Sequence, residues 1–246
     1  MLAVLASALA VRADLNGLTS IRYSVDSTMT ATRTDVVASG RVQAFLKRVG
    51  SSDHHRLRIN AAGLAPKANY TVLMQIGDNP DFVAVTNFTS SRRGSGRVVY
   101  LNSTARAGVA SKRVLPAVLS PVSIVRGVAI ADADGNIVLA TDLHTSESMK
   151  FQIASVFENA GTDAAAIGCV ALACQGGGVQ FRLFAAGSGS QFTLCVNGAP
   201  VETYPADATG HISIGVFPET APSPFDFLNL SLRNSADEVV LQSDLR

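Results

Sequence analysis

The sequence contains no tryptophan, and aromatic residues make up only 6% of its 246 residues. Charged residues account for 16% of the chain, hydrophobic residues account for 47%, and the formal net charge is +1. A chain this apolar is not expected to be disordered, and a nearly neutral chain lacks the excess of basic residues that marks nucleic-acid binding. We therefore expect folded domains and no nucleic-acid partner.

Motifs for catalysis and cofactor binding are also missing. The sequence has no G-x-S-x-G, H-E-x-x-H or Walker pattern, and its four histidines have no Ser or Asp partner at a recognisable spacing. After the first 13 residues, no segment is apolar over the roughly 20 residues that a membrane helix needs. We expect no enzymatic activity, no cofactor, no metal and no membrane insertion.

Residues 1–13, MLAVLASALAVRA, form an apolar run that is too short to span a bilayer and that ends in small residues. This pattern is typical of the hydrophobic region and cleavage site of a secretory signal peptide, with cleavage after Ala10 or Ala13. The alternative is an amphipathic first helix, but a stretch whose one charged side chain is Arg12 offers no polar face. The pattern predicts a secreted or cell-surface protein.

The rest of the chain is rich in Val, Ile, Thr, Ser and Gly in short alternating runs, a composition typical of strands and tight turns. The segment beginning at Ser20 aligns without a gap with the segment beginning at Ser148, so that Tyr23 meets Phe151 and Gly40-x-Val42 meets Gly168-x-Val170. The ends of the two copies also match, Asn136–Leu143 with Glu238–Leu245. An internal duplication is the simplest explanation, and it predicts domains at 19–145 and 146–246.

Alternation of apolar and polar residues predicts eight strands in the first copy. We place them at Ile21–Met29, Gly40–Arg48, His55–Ala61, Tyr70–Ile76, Ala84–Thr89, Arg97–Leu101, Ile124–Asp132 and Asn136–Leu143. Turn sequences such as Asp134-Gly135 and Asn197-Gly198 separate the runs and favour hairpins. The predicted fold is all-β, with two tandem antiparallel β-sandwiches.

One phrase, Gly63-Leu64-Ala65-Pro66-Lys67-Ala68-Asn69-Tyr70-Thr71-Val72, resembles the G-L-x-P-x-x-x-Y-x-V phrase of fibronectin type III and related Ig-like repeats. In that family the phrase forms a corner at which the aromatic residue docks and the next strand enters the core. The resemblance implies that the sandwiches are Ig-like.

The three cysteines all lie in the second copy, and an oxidising compartment favours a disulfide between two of them. On an uninterrupted strand Cys169 and Cys174 point to opposite faces, whereas Cys195 points outward together with Cys169. Our hypothesis is a Cys169–Cys195 disulfide, with Cys174 as a buried thiol.

Three further groups of polar residues are candidate sites. Asp53-His54-His55 offers metal ligands, but a solvated turn is favoured, and Asp132-Ala133-Asp134-Gly135-Asn136 is favoured as a hairpin turn over a calcium loop because it lacks the distal Glu. Four asparagines begin N-x-[ST] sequons and are candidate glycosylation sites: Asn69, Asn87, Asn102 and Asn229.

These observations favour a non-catalytic extracellular structural or adhesive module with protein partners. One form of it is a filament or surface-layer subunit in which the strand Ile21–Met29 completes the sheet of a neighbouring copy. The insertion Asn102–Pro121, with Arg106, Lys112 and Arg113, is expected to carry contacts specific to the first copy.

Two alternatives stay open. In the first, the chain is a carbohydrate-binding module. Its binding platform would be formed by exposed aromatic residues from the set Tyr23, Tyr70, Tyr100 and Tyr204. The other alternative is an accessory domain of a secreted enzyme whose catalytic part is another chain.

Overall fold

A computed structural model describes residues 19–34, 37–49, 52–77, 79–102, 112–145, 147–175 and 178–245. These residues form strands joined by turns, with three single-turn 3-10 helices at Ala117–Leu119, Val122–Ile124 and Pro224–Asp226. None of the helices in the described ranges is long and apolar enough to span a membrane. The all-β prediction is confirmed, while the predicted signal peptide at 1–13 and Arg106 lie outside the described residues.

All eight strands predicted in the first copy are present, with ends within three residues of the predicted ones. The strands of this half are β1 Ser20–Ala31, β2 Ser39–Val49, β3 Ser52–Ala62, β4 Asn69–Ile76, β5 Val83–Thr89, β6 Gly96–Leu101, β7 Lys112–Val114, β8 Val125–Ala131 and β9 Ile137–Asp142. The short strand β7 was not predicted. It lies in the insertion and pairs with β6 in parallel.

The second half repeats the same kind of element. Its strands are β10 Lys150–Val156, β11 Glu158–Asn159, β12 Ile167–Gln175, β13 Gly178–Ala186, β14 Gln191–Val196, β15 Ala199–Pro205, β16 His211–Ile214, β17 Asn229–Arg233 and β18 Val239–Asp244.

The strands form one curled mixed sheet of thirteen strands and one sheet of five. Nine strands of the larger one follow one another in the order β16-β13-β12-β10-β1-β2-β3-β6-β7, and we name this path the long sheet. The strands β5-β4-β8-β9 join it through the end of β1, where Thr30 and Ala31 pair with β9, and we name them the branch sheet. The five-strand sheet has the order β11-β18-β17-β14-β15.

The order of strand pairing is the same in the two halves. In the first half β1 leads to β2, β3 and β6 on one side and to β9, β8, β4 and β5 on the other. In the second half β10 leads to β12, β13 and β16, and β11 leads to β18, β17, β14 and β15. Phe157 alone separates β10 from β11, so these two strands together occupy the position that β1 occupies in the first half.

Two turn glycines repeat the same local geometry. Gly94 precedes β6 and Gly210 precedes β16, and both have positive φ, of 68° and 77°. A Cβ on Gly94 would lie 2.1 Å from the carbonyl oxygen of Leu64, and a Cβ on Gly210 would lie 2.1 Å from that of Gly187. Both positions require glycine, because a side chain would meet backbone atoms and would be strained in the left-handed region.

Alternation along the strands produces the core, since Ile21, Tyr23 and Val25 of β1 point inward and the residues between them point outward. The inward residues of both halves belong to one continuous cluster of buried side chains. The sequence predicts two separately closed cores. The structure differs because Ile21 pairs with Ile153 and Tyr23 pairs with Phe151 across the junction, so the long sheet and the core beneath it run through both halves.

The strand proposed for donation to a neighbour, Ile21–Met29, lies at the centre of the long sheet. It is paired with β2 along its length and with β10 over residues 20–24. Since hydrogen bonds within the chain occupy both edges over these residues, this strand is not available for addition to another copy.

The first and last described residues lie close together. The hydroxyl of Thr19 donates to the carbonyl oxygen of Asp244 at 3.3 Å, and it is 2.8 Å from the hydroxyl oxygen of Ser155. Both ends of the described chain therefore reach the same corner of the molecule.

Candidate functional site

The outer surface of the long sheet in the first half is crossed by rows of outward-pointing side chains, one from each strand. In one row Arg22, Lys47 and His54 lie side by side on β1, β2 and β3. In the next row Lys150, Ser24, Phe45 and Arg56 follow one another from β10 to β3. Neighbouring strands are about 4.8 Å apart, so these cations are close neighbours on one surface.

Two further rows continue the pattern towards β6. Asp26, Gln43 and Arg58 form one row, and Thr28, Arg41, Asn60 and Arg97 form the other. Arg58 is half-buried, and the other cations are exposed. We name the whole array the basic face, and its cations are Arg22, Arg41, Lys47, Arg56, Arg58, Arg97 and Lys150.

Asp26 is the single carboxylate on the described positions of the basic face, and its charge is already engaged. Arg41 donates to both oxygens of the Asp26 side chain, and Gln43 donates to it at 2.9 Å. The hydrogen bonds from Arg41 lower the pKa of Asp26, so it is ionised at neutral pH. Within the described part of the chain, no ion pair joins Arg22, Lys47, Arg56 or Lys150 to a carboxylate.

Charge is distributed unequally between the two halves of the sequence. Residues 19–145 contain 15 Lys and Arg against 8 Asp and Glu, whereas residues 146–246 contain 4 against 10. The first half therefore carries +7 and the second −6, although the whole chain carries only +1. The basic face lies on the positive half, with Lys150 as its contribution from the second.

A shallow depression lies in the middle of the basic face. Its lining includes Ser24, Phe45, Arg56 and Ser148. The hydroxyl of Ser148 donates to the carbonyl oxygen of Asp26 and accepts from its amide, which attaches the start of the second half to β1. Phe45 is the exposed aromatic residue of this surface, with 39% of its surface accessible.

On the inner side, the two halves meet through buried aromatic rings. Phe225 stacks on the ring of His144 with centroids 4.0 Å apart, and its centroid lies 5.0 Å from that of Phe151 and 6.3 Å from that of Tyr23. Arg126 donates to Asp226 at 2.7 Å across the same junction. These contacts hold the 3-10 helices Val122–Ile124 and Pro224–Asp226 against each other.

Asp53-His54-His55 is not a solvated turn, because it belongs to strand β3. His54 is exposed on the outer surface, whereas His55 is buried and lies 3.1 Å from Asp53. Arg48 donates to both oxygens of Asp53 and to the carbonyl oxygen of Leu245. The hydrogen bonds from Arg48 lower the pKa of Asp53, and burial lowers the pKa of His55. The group is thus a structural network that connects β3 to the end of the chain.

The three cysteines lie in different environments. Cys174 is buried in the core, as strand parity predicts, and burial raises its pKa to about 11. Cys169 is exposed on the outer surface of the long sheet. Cys195 is buried in the five-strand sheet, paired with Ser231, so the expectation that it points outward together with Cys169 is wrong. The Cys169–Cys195 disulfide stays a prediction.

The four sequon asparagines lie on strands or at strand ends. Asn69, Asn87 and Asn102 are exposed, and Asn229 is half-buried. Two sequons pair with each other across β4 and β5: Thr89 donates to Asn69 at 2.8 Å, and Thr71 donates to Asn87 at 3.0 Å. Their use as glycosylation sites stays a prediction.

The tyrosines do not form an exposed platform. Tyr23, Tyr70 and Tyr100 are buried, and Tyr204 is half-buried beside Glu202. At the phrase Gly63–Val72, the hydroxyl of Tyr70 accepts a hydrogen bond from the amide of Ala65 at 2.9 Å. The segment Asp132–Asn136 is a hairpin turn, as predicted, in which Asp132 accepts from the amides of Asp134 and Asn136.

Comparison with protein-family models, with curated proteins and with solved structures gives no match for this chain. The surfaces of the chain itself must therefore indicate its function. The net charge of the whole chain does not predict the basic face, because the charges of the two halves nearly cancel. The alternation of Arg41, Gln43, Phe45 and Lys47 along β2 was a visible sign of it, but the neighbouring strands had to be known to bring the cations together.

Proposed function

We propose that this chain is a non-catalytic structural or adhesive module of the cell exterior, which attaches through the basic face. The observation that carries the proposal is the long sheet itself, a broad surface that crosses both halves and bears exposed cations with a single, engaged carboxylate among its described positions. A surface of this kind suits attachment over a broad area, because each contact adds to the binding of the others. The signal-peptide pattern at residues 1–13 supports an extracellular location.

We further propose that the chain arose by duplication of one Ig-like sandwich, with repeats at 19–145 and 146–246. The repeated order of strand pairing supports this origin, as do the equivalent turn glycines Gly94 and Gly210. The buried Tyr70, with its hydroxyl bonded to Ala65, is the geometry expected if the phrase Gly63–Val72 forms the corner of fibronectin type III and related repeats.

Assembly into a filament or layer by strand addition would have to use an outer strand in place of β1. The strands at the ends of the described sheets are β16, β7, β5, β15 and β11, and an added strand satisfies such an edge through main-chain hydrogen bonds. The proposal therefore includes pairing of a protein partner, or of a second copy of the chain, with one of these edges.

The carbohydrate-binding alternative depends on the basic face, because burial removes Tyr23, Tyr70 and Tyr100 from any exposed platform. Charged and hydrogen-bonding groups would then replace aromatic stacking as the means of recognition.

The test is to express the full chain in its source cells with a C-terminal tag and to follow two properties. We expect the tag to be found outside the cytosol on a chain shortened at its N-terminus, and the purified chain to sediment with extracellular material of those cells. Retention of an unprocessed chain in the cytosol, or no sedimentation of the purified chain, would contradict the proposal.

A further inference from the structure

We propose that the ligand of the basic face is an acidic polysaccharide, a polymer with carboxylate or sulfate groups along its length. This inference rests on the proposed function, since it names what the adhesive surface binds. It concerns seven cations on the five neighbouring strands β10, β1, β2, β3 and β6.

The arrangement of these cations opposes folding, which indicates that it serves another purpose. Arg22 lies directly opposite Lys47 on the adjacent strand. Like charges in directly opposed positions destabilise a sheet. An anion that bridges Arg22 and Lys47 would remove this repulsion, so the free protein is already arranged for anion binding.

Several features of the basic face fit a polymer better than a single small anion. The cations are spread over successive rows, and the depression at Phe45 is shallow and open to the surrounding surface. Apart from Arg41, which is engaged by Asp26, four of the remaining six cations are arginines. Their planar guanidinium groups bind carboxylate or sulfate through two parallel hydrogen bonds. A chain lying across the strands would meet a cation at almost every strand.

The residues between the cations favour a sugar polymer over nucleic acid. Ser24, Thr28, Gln43 and Asn60 lie in the same rows and offer neutral donors and acceptors for sugar hydroxyls. Proteins that bind single-stranded nucleic acid add aromatic side chains on which successive bases stack, whereas the exposed aromatic residue of this surface is Phe45 alone. Binding in the plane of a membrane uses a broad apolar face, and these rows are polar.

The experiment compares two double variants of equal charge in the full chain. Arg22→Gln with Lys47→Gln removes two cations from the basic face. Arg92→Gln with Arg93→Gln removes two exposed cations from the turn between β5 and β6. The probes are heparin and polygalacturonate as sulfated and carboxylated polymers, neutral dextran, oligothymidylate, and vesicles containing phosphatidylglycerol.

We expect the unmodified chain to bind heparin or polygalacturonate, to ignore dextran, and to bind more weakly as salt is raised, since screening weakens exposed charge interactions. The basic-face variant should lose about tenfold in affinity, whereas the turn variant should lose less than about twofold. Binding to only one of the two acidic polymers still supports the inference, and it identifies whether sulfate or carboxylate groups are recognised.

Equal losses in the two variants would overturn the inference, because they would show attraction by net charge alone. Tighter binding to oligothymidylate or to vesicles than to both polysaccharides would overturn it in favour of that ligand. If neither acidic polymer binds but the chain still sediments with extracellular material, the inference fails and the proposed function stands. If the chain stays in the cytosol yet binds the polymers, the proposed function fails while the ligand class is retained.

Discussion

His55 is buried and His144 is half-buried, and the two histidines bond to consecutive residues of one short 3-10 helix. The Nδ1 atom of His55 accepts from the amide of Val122 at 3.3 Å, and Nε2 of His144 donates to the carbonyl oxygen of Ser123 at 2.9 Å. Burial lowers the pKa of both rings below the ordinary value of 6.5. The neutral form of each ring is therefore the one that the fold requires.

Stability should consequently fall as the solution becomes mildly acidic. Because the unfolded chain takes up protons near pH 6.5 and the folded chain resists them, the contribution of these histidines is complete above that pH and is lost as pH falls below it. Urea unfolding between pH 7.5 and 5 should show this loss. The variant His55→Gln should flatten the dependence, and a flat profile for the unmodified chain would contradict this explanation.

Two buried tyrosines differ in how their hydroxyl groups are satisfied. Among the described residues, the hydroxyl of Tyr23 has no hydrogen-bond partner, whereas that of Tyr70 accepts from the amide of Ala65. An unsatisfied buried hydroxyl costs roughly 1–3 kcal/mol, and a typical hydrogen bond contributes about 1 kcal/mol.

Tyr23→Phe should therefore raise the free energy of unfolding by about 1 kcal/mol, and Tyr70→Phe should lower it by a similar amount. Chemical denaturation of the two variants beside the unmodified chain measures both effects. Destabilisation by Tyr23→Phe would mean that its hydroxyl has a partner in solution.

At the level of elements, β1 and β2 pair along their length although Arg22 faces Lys47. Removing both charges should relieve the repulsion, so Arg22→Gln with Lys47→Gln should stabilise the chain by roughly 0.2–1 kcal/mol. The turn variant Arg92→Gln with Arg93→Gln should change stability by less than about 0.5 kcal/mol. Thermal unfolding of the two variants at low salt is the measurement, and a loss of stability in the basic-face variant would show that the cations serve the fold.

Strand positions could be predicted from the sequence because alternation of side chains is a local property. Val42, Ala44 and Leu46 point inward on β2 as their period of two requires. The pairing of β1 with β10 could not be predicted, since it depends on how the two halves dock. Without that pairing, neither the central position of Ile21–Met29 nor the row from Lys150 to Arg56 could be anticipated.

The buried network at His55 could not be predicted from the sequence, for a similar reason. Asp53-His54-His55 is a polar sequence, and polar sequences usually lie in turns. The partners that allow burial of His55 are distant in the sequence: Arg48 reaches Leu245 at the other end of the chain, and Val122 reaches His55 from the 3-10 helix. Burial of a polar residue depends on such partners, which sequence periodicity does not reveal.

For the whole molecule, the continuous sheet and core predict that the two halves unfold together. Tyrosine fluorescence reports mainly on the first half, which contains Tyr23, Tyr70 and Tyr100, and reactivity of the buried Cys174 thiol reports on the second. We expect the same denaturation midpoint from both probes. Two separate midpoints would indicate that the halves are independent domains.

A substitution of Phe225, which lies at the junction, also tests whether the two halves unfold together. Its ring contacts His144 of the first half and Phe151 of the second, so Phe225→Ala should cost about 3–5 kcal/mol. Both probes should shift by the same amount if the halves form one cooperative unit. A shift of the thiol probe alone would confine the role of Phe225 to the second half.

The contact between Thr19 and Asp244 gives the described part of the chain the connectivity of a nearly closed ring. A linker of a few residues would join residue 245 to residue 19, and the exposed turn at Asp132–Asn136 offers a place to open the chain elsewhere without cutting a strand. A circular permutant made in this way would keep every strand pairing while its new ends emerged at a different side of the molecule. Fusion partners could thereby be moved relative to the basic face with no change in the sheet that carries it.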